Sequence, residues 1–563
     1  MDEPTLHSSL DKVVADHGEV TVDFPAERTA LSLHDLSTRS RRIAARLREL
    51  GIREGDRVGA LSTNEPDFLL LFFALSRLGA CVCPLPMNTR EADTAKLVGV
   101  LDDAGIKDVL VSGRLAPMLP FIEEAVPGRR VLSAAETLTD GTGGGDGEAA
   151  GAEVDGVEVD ADREIVLQYT SGSTSYPKGV RLTHANVLAC LRAIRDGIRL
   201  TPADRNSSWL PLFHDMGLFG TLTGILTGVP CTIWRPSAFV KDPAGWLRQF
   251  ADGGYTISPM PNFAYDYLVD AVPAEEAASY DLSRWRVAFN GAEPIAVDSL
   301  EAFFRRFAPA GFDPRTMLTV YGLAEATLAV TFPPLEREPR WDWVDRAALA
   351  ERGAAVPVER TAPGARGVVG VGSPVLGMRL RVADAEGRAV AGERVVGEVQ
   401  LRGPSVTQGY VDDAGTLAQP FTADGWLRTG DLGYLAEGEL YITGRGKEML
   451  ILRGTNFYPD DVESAVRADE AVHRRRCVAF VHQADTGDRH DEYMVLVAET
   501  SRPEAEHPEL AARLRHRVRS ALGLDELRVV LAAPDSLPRT TSGKLQRLTA
   551  KRAFADDQAE RGN

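Results

Sequence analysis

Between Gln168 and Val180 the chain reads QYTSGSTSYPKGV, crowding Thr170, Ser171, Gly172, Ser173, Thr174 and Lys178 into one short stretch. Hydroxyls donate to phosphate oxygens, glycine lets backbone approach closely, and lysine supplies positive charge. The apolar run 164-EIVLQYT-170 before it reads as a strand, and a helical pattern follows. Backbone N–H groups at such a turn can converge on an anion. The spacing is not G-x-x-x-x-G-K-[ST], so the loop is not of the Walker type. Taken alone, it reads either as a phosphate cradle or as a flexible Ser/Gly surface turn. At the far end, Lys544 follows a glycine in 537-LPRTTSGKLQR-547. Alone it is a solvated terminal lysine or a mobile point charge. A Ser/His/Asp triad is not indicated, because the chain has no G-x-S-x-G elbow.

The elements that must position these residues alternate. Residues 35–52 read as an amphipathic helix ended by Gly51, 57–63 as a buried strand, 65–79 as a helix and 80–86 as a second strand. That order signals a parallel α/β sheet. The glycine-rich acidic segment 140–162 cannot bury an apolar face and reads as a surface loop. A helix is expected within 181–194, and short apolar strands at 229–234, 286–292 and 316–322 each end in a glycine or turn residue. Ligands bind at such strand ends in open α/β sheets. From about residue 365 hairpin punctuation takes over, at 378–384, 396–403 and 438–444, which predicts a β-rich sub-lobe. Strands at 476–483, 493–500 and 526–533 with a helix at 507–522 predict a small C-terminal α+β domain. The fold class expected is α/β: a large N-terminal domain, 1–444, with parallel-sheet sub-lobes and a β-rich sub-lobe, and a small mobile α+β domain, 445–563.

Composition narrows the partners. A chain of 563 residues exceeds what one core usually supports. Its 44% apolar and 26% charged residues are those of an ordinary globular protein. A net charge of −18 argues against nucleic acid and against anionic membrane surfaces. Cysteines 81, 83, 190, 231 and 477 are scattered and odd in number, which fits free thiols in a reducing cytoplasm. Cys81 and Cys83 lack a second ligand pair, so buried strand cysteines are expected there instead of zinc. The acidic N-terminus does not read as a signal peptide, and the apolar run 68-FLLLFFAL-75 is far too short to be an integral membrane segment.

Five motifs occur in order: 169-YTSGSTSYPKGV-180, 321-YGLAE-325, 429-TGDLGYL-435, 444-GRGKEMLILRG-454 and 537-LPRTTSGKLQR-547. Together they resemble the core motifs of the adenylate-forming superfamily, which includes acyl-CoA synthetases, luciferases and peptide-synthetase adenylation domains. Further stretches look like one branch, the fatty acyl-AMP ligases: SGSTSYPKG where most members have SGTTGxPKG, 210-LPLFHDMGLFG-220, 290-NGAEPI-295 and 450-LILRGTNFYPDDVE-463. That branch makes acyl-AMP and loads it onto an acyl carrier protein, without efficient transfer to coenzyme A. It also carries an insertion in the larger domain, and the long segment 332–369 fits its position; the other reading of this segment is an ordinary surface loop.

The resemblance implies the following roles. Thr170, Ser171, Gly172, Ser173, Thr174 and Lys178 hold the β- and γ-phosphates of ATP, and Lys544 bridges the attacking carboxylate and the α-phosphate. Glu325 ligates Mg²⁺, a hard cation suited to carboxylate oxygen. Tyr321 and Gly322 flank adenine on one side, the backbone of Gly291, Ala292 and Glu293 on the other. Asp431 accepts from the ribose hydroxyls, and Arg445 contacts ribose or phosphate. His214 either helps position the carboxylate or is a structural hydrogen-bonded histidine; a carboxylate nucleophile needs no general base near neutral pH. The small domain rotates about Lys447. The expected substrate is a medium- or long-chain fatty acid, because 255-YTISPMPNFAYDYL-268 and 210–220 offer apolar and aromatic walls. A fatty acyl-CoA ligase and a silent acyl or nucleotide sensor are the rival readings.

Overall fold

The computed structural model describes residues 1, 3–86, 91–138, 157, 159–170, 177–411, 419–485, 490–540 and 543–561. A six-stranded sheet runs in the order Arg130–Ser133, Asp108–Val111, Arg57–Leu61, Cys81–Leu85, Glu164–Tyr169 and Gly179–Thr183. All neighbours are parallel except the last pair, a hairpin closed around residues 170–178. The crossover helix Pro66–Leu78 starts on a proline, where the missing N–H costs nothing, and stops at Gly79 in the left-handed region, φ 68°. Every side chain from Phe68 to Leu78 is buried. Among them Arg77 is 0% exposed and grips Asp11 with two bonds of 2.6 and 2.9 Å, tying the first helix, Leu6–His17, onto the crossover helix.

A second, seven-stranded sheet has the order Met317–Thr319, Val287–Asn290, Ile257–Met260, Asn206–Ser208, Cys231–Ile233, Thr21–Phe24 and Thr29–Ser32. It too is parallel but for the final hairpin. The helix expected within 181–194 is His184–Gly197, behind a capping box of Thr183 and Asn186, and 181–183 ends the preceding strand. One expectation needs correcting. The strand expected over 316–322 breaks after Thr319, and Tyr321–Gly322 pairs instead with Ala329–Phe332 in a separate small sheet.

The β-rich part is an antiparallel meander, Arg379–Ala383, Gly397–Arg402, Leu427–Ala436 and Glu439–Arg445. Beyond the turn Gly446–Glu448, the strands Cys477–Asp485, His490–Glu499 and Leu527–Ala532 carry the helices Pro459–Arg467, His507–Leu522 and Arg547–Arg561. All five cysteines are buried free thiols. Most of the segment 140–162 lies outside the described residues, and no helix among the described residues is long and apolar enough to cross a membrane.

Segment 332–369 folds into structure of its own. Trp341–Asp345 pairs antiparallel with Ala365–Val369 around the helix Arg346–Arg352, and this unit faces the C-terminal layer. Arg366 reaches Asp461 at 2.9 Å and lies over the Tyr458 ring, Arg346 donates to the Ala521 carbonyl at 2.7 Å, and Asn456 donates to the Ala350 carbonyl at 3.3 Å.

Candidate active site

Three parallel strands of the larger sheet, Ile257–Met260, Val287–Asn290 and Met317–Thr319, deliver their C-terminal ends to one place. The turn after Val287–Asn290 holds Gly291, Ala292 and Glu293. A Cβ on Gly291 would stand 2.7 Å from Val320 Cγ2, so the two strand ends touch only because the residue is glycine. Ala292 follows with φ 66°, a left-handed conformation that a side chain rarely adopts. This bend aims Glu293 back at the helix Asn262–Ala271, where its carboxylate accepts from the Phe263 N–H at 2.6 Å. Desolvation pushes the Glu293 carboxyl up to about 6, with the Phe263 bond and the Lys544 charge opposing it.

Tyr321 and Arg445 hold the same carboxylate. The Tyr321 hydroxyl donates to Asp431 Oδ2 at 2.6 Å, and Arg445 Nε donates to Oδ1 at 2.9 Å. Asp431 and Arg445 face each other directly across two antiparallel strands, so sheet register alone sets their meeting. Gly322 sits where a Cβ would come 2.0 Å from the Leu328 carbonyl oxygen, which makes the tight turn toward Glu325 a glycine requirement.

Glu325 lies in the turn Ala324–Ala326; its carboxylate accepts from the Tyr410 hydroxyl at 2.8 Å and its carbonyl from the Thr407 N–H at 2.8 Å. Desolvation raises its carboxyl above the usual range. The Lys178 ammonium stands 4.5 Å from the centre of the same Tyr410 ring. Tyr410 thus joins Lys178 of the 169–180 motif to the carboxylate of the YGLAE motif. Sequence reasoning passed it over, although 403-GPSVTQGY-410 closes on a lone tyrosine after a glycine. Its place is fixed by a bridge to Val180 and a bond from the Val411 N–H to the Gly179 carbonyl. At the loop neck the Thr170 N–H donates to the Lys178 carbonyl at 3.0 Å. Ser171, Gly172, Ser173 and Thr174 lie outside the described residues.

His214 caps the helix Asp215–Ile225, with Nδ1 2.7 Å from Asp215 Oδ1 and 3.4 Å from the Met216 nitrogen. The histidine is therefore engaged with its neighbour and with the helix end. Burial raises the Asp215 carboxyl, but His214 and the Lys544 charge outweigh it and hold the group below its usual range. The preceding turn is tied to the strand Glu164–Tyr169 by Gln168, whose Nε2 donates to the Phe213 carbonyl at 2.9 Å.

Lys544 comes to this site from the C-terminal layer. Its hairpin is closed by Thr540, whose N–H donates to the Lys544 carbonyl at 2.8 Å and whose hydroxyl accepts from the Lys544 N–H at 3.1 Å. Desolvation lowers the ammonium pKa, the carboxylates of Asp215, Glu293 and Asp431 raise it, and Arg445 lowers it further. The sequence separates these residues widely, yet the fold brings the Lys544 hairpin against the Phe263 ring, with its ammonium within electrostatic reach of all of them. Arg547, also passed over in the sequence, donates bidentately to Glu463 at 2.6 and 2.8 Å and reaches Glu448 at 2.6 Å. It links the Lys544 hairpin to the exposed turn that carries Lys447.

The family comparisons agree with this geometry. Residues 10–411 match the model of AMP-binding enzymes, and residues 454–552 match that of the AMP-binding enzyme C-terminal domain. The long-chain-fatty-acid–AMP ligase FadD32 of Mycolicibacterium smegmatis is 32% identical over 96% of this chain and 92% of its own length. The medium-chain-fatty-acid–[acyl-carrier-protein] ligase JamA of Moorena producens is 34% identical over 71% of this chain and 69% of its own. A solved structure from a study of fatty acyl-adenylate ligases from E. coli and L. pneumophila superposes with a TM-score of 0.89 at 33% identity, covering 99% of both chains. With both parts of its length matched, the chain belongs to the AMP-binding enzyme family.

Proposed function

We propose that the protein activates a medium- or long-chain fatty acid with ATP to give acyl-AMP and pyrophosphate, then passes the acyl group to an acyl carrier protein. The observation that carries this reading is the docking of the Lys544 hairpin on the larger part, where a Cβ at Gly543 would lie 3.9 Å from the ring of Phe263, the residue whose N–H holds Glu293. A carboxylate oxygen of the acid attacks the α-phosphorus, the bond from that phosphorus to the bridging oxygen breaks, and pyrophosphate leaves with the electron pair. Negative charge builds on the transferred group and on the leaving group, and Lys544 and Lys178 answer it from opposite ends. Asp431, fixed by Tyr321 and Arg445, is placed for the ribose hydroxyls. In the second step the phosphopantetheine thiolate attacks the acyl carbonyl, the carbon–oxygen bond to AMP breaks, and AMP leaves; the thiol proton goes to solvent.

The donor set suits Mg²⁺. Among the described residues no three metal-ligating side chains cluster, and Glu325 offers a single hard carboxylate, which is how Mg²⁺ is usually held beside nucleotide phosphates. When bound, the ion would neutralise phosphate charge next to Glu325.

The names of FadD32 and JamA support a fatty acid substrate, and JamA's supports transfer to a carrier. Packing of segment 332–369 on the C-terminal layer supports restricted rotation, and with it poor use of coenzyme A. Purified protein incubated with ATP, Mg²⁺ and acids of about six to eighteen carbons is expected to accumulate acyl-AMP, then to acylate a phosphopantetheinylated carrier. Absence of acyl-AMP with every acid overturns the reading, and rapid acyl-CoA formation replaces its second half.

A further inference from the structure

The sequence 473-HRRRC-477 places three arginines in a row before a strand, a run that ordinarily reads as a solvated face. Here all three side chains face one helix of the larger part, Asn262–Ala271. Arg475 donates to Asp266 Oδ1 at 2.6 Å and to Asp270 Oδ1 at 3.2 Å. Arg476 donates to the Tyr267 hydroxyl at 3.2 Å while pairing with Glu499 and Asp535 of its own layer. The Arg474 guanidinium lies 5.7 Å from the Tyr267 ring centre. Residues 266, 267 and 270 are one turn of helix, so a single short segment reads a single patch.

Backbone conformation adds a second, independent observation. Arg474 and Arg475 both have positive φ, 49° and 56°. Two successive side-chain-bearing residues in the left-handed region store free energy that the surroundings must offset. Bonds within the turn hold part of it, from the Arg475 N–H to the Val472 carbonyl and from the Arg476 N–H to the His473 carbonyl; the remainder is offset by the contacts to the other part of the molecule, which exist only while the two parts are docked. The helix so gripped also carries Phe263, whose N–H holds Glu293 beside Lys544. Docking at the arginine turn and placement of the Lys544 hairpin therefore meet on one helix.

We propose that the turn His473–Arg476 is a strained latch: Arg475, paired with Asp266 and Asp270, is the positioning residue that seats Lys544 for adenylation, and its release permits the acyl-transfer step. The inference rests on the two-step reaction proposed above. Relief of the left-handed turn favours undocking, and the ion pairs favour docking, so the two poses stay within reach of each other.

The test compares wild type with Arg475→Gln in three assays. Acid-dependent ATP–pyrophosphate exchange is expected to fall about 10-fold through kcat, with the KM for ATP little changed. Acyl transfer from supplied acyl-AMP to a loaded carrier is expected to stay equal or rise. Tryptic cleavage at Arg445 and Lys447 is expected to quicken at an unchanged unfolding midpoint. Charge reversal in the pair Arg475→Asp with Asp266→Arg is expected to recover exchange over Arg475→Asp alone. Equal loss of both half-reactions, or no change in exchange and cleavage, overturns the latch. If wild type forms no acyl-AMP, the functional reading fails instead, and the cleavage rate still decides whether Arg475 holds the two parts together.

Discussion

The Tyr321 hydroxyl and the Asp431 carboxylate meet at 2.6 Å, joining two segments that share no sheet. The contact leaves Asp431 pinned from one side by a neutral donor and from the other by Arg445. Tyr321→Phe removes one bond to a charged acceptor, a loss of about 1.5–3 kcal/mol, or roughly 10- to 100-fold. The expected result is a rise of that size in the KM for ATP, measured by pyrophosphate exchange. Asp431→Asn, which also strips Arg445 of its counter-charge, is expected to cost more.

Lys544 is expected to serve only the first half-reaction. Lys544→Ala should lower acyl-AMP formation by about 10²–10³-fold, the range for loss of one preorganised charge-stabilising donor. Transfer from supplied acyl-AMP should persist, because no Lys544 contact is needed once the phosphoanhydride chemistry is over. Unchanged acyl-AMP formation would remove Lys544 from the chemistry altogether.

Acidity should act through Glu293. Its carboxyl titrates near 6, above its usual value, because desolvation outweighs the Phe263 bond and the Lys544 charge. As pH falls through about 6 the group becomes neutral and Lys544 loses one counter-charge, so adenylation should decline with an apparent pKa near 6. Glu293→Gln should flatten that limb of the profile, separating it from Asp266, which burial also raises to about 6. The stability sign is opposite: between the usual 4.5 and about 6 the folded state holds a proton the unfolded state has lost, so this group's contribution to stability improves on acidification.

His7 and His184 pull the other way. Their rings lie 6.1 Å apart in the core, His184 Nδ1 accepting from the Leu6 N–H and His7 Nδ1 sharing a proton with Ser76. Burial, with nearby positive charge, depresses them to about 3 and about 4. Below their usual 6.5 the unfolded chain takes up protons that the native core refuses, so stability falls as pH drops toward 4. Between pH 7 and pH 5 the loss from each is of the order of 2 kcal/mol. Urea titrations at the two pH values should show it, and a smaller drop in His184→Gln than in wild type assigns it.

The sequence made the motifs legible because each is local: a glycine that a turn demands, a lysine beside it, a carboxylate at a strand end. Crossover units such as Arg57–Leu61, Pro66–Leu78 and Cys81–Leu85 were equally readable, since continuous apolar runs mark strands buried on both faces. Asn206–Ser208 escaped notice although it is the middle strand of the seven-stranded sheet, for three small polar residues carry no strand propensity and are held there by parallel neighbours on both sides. The hairpin of Thr21–Phe24 and Thr29–Ser32 was similarly short and mixed in character. Tyr410 and Arg547 could not be weighted from spacing, because their roles depend on partners distant in the chain. The arginine run at 474–476 is equally silent in the sequence, because its partners Asp266, Tyr267 and Asp270 lie 205 to 209 residues away.

The bridge between Val180 and Tyr410, with the Val411 N–H on the Gly179 carbonyl and the Arg181 N–H on the Gly409 carbonyl, does more than carry Tyr410 to the cleft. Gly179–Thr183 is the outermost strand of its sheet, and an outermost strand offers a row of unpaired donors and acceptors to any passing chain. Residues 409–411 occupy that row. A variant that loosens this seal should therefore betray itself first by strand-to-strand association between molecules, even where nucleotide binding is untouched.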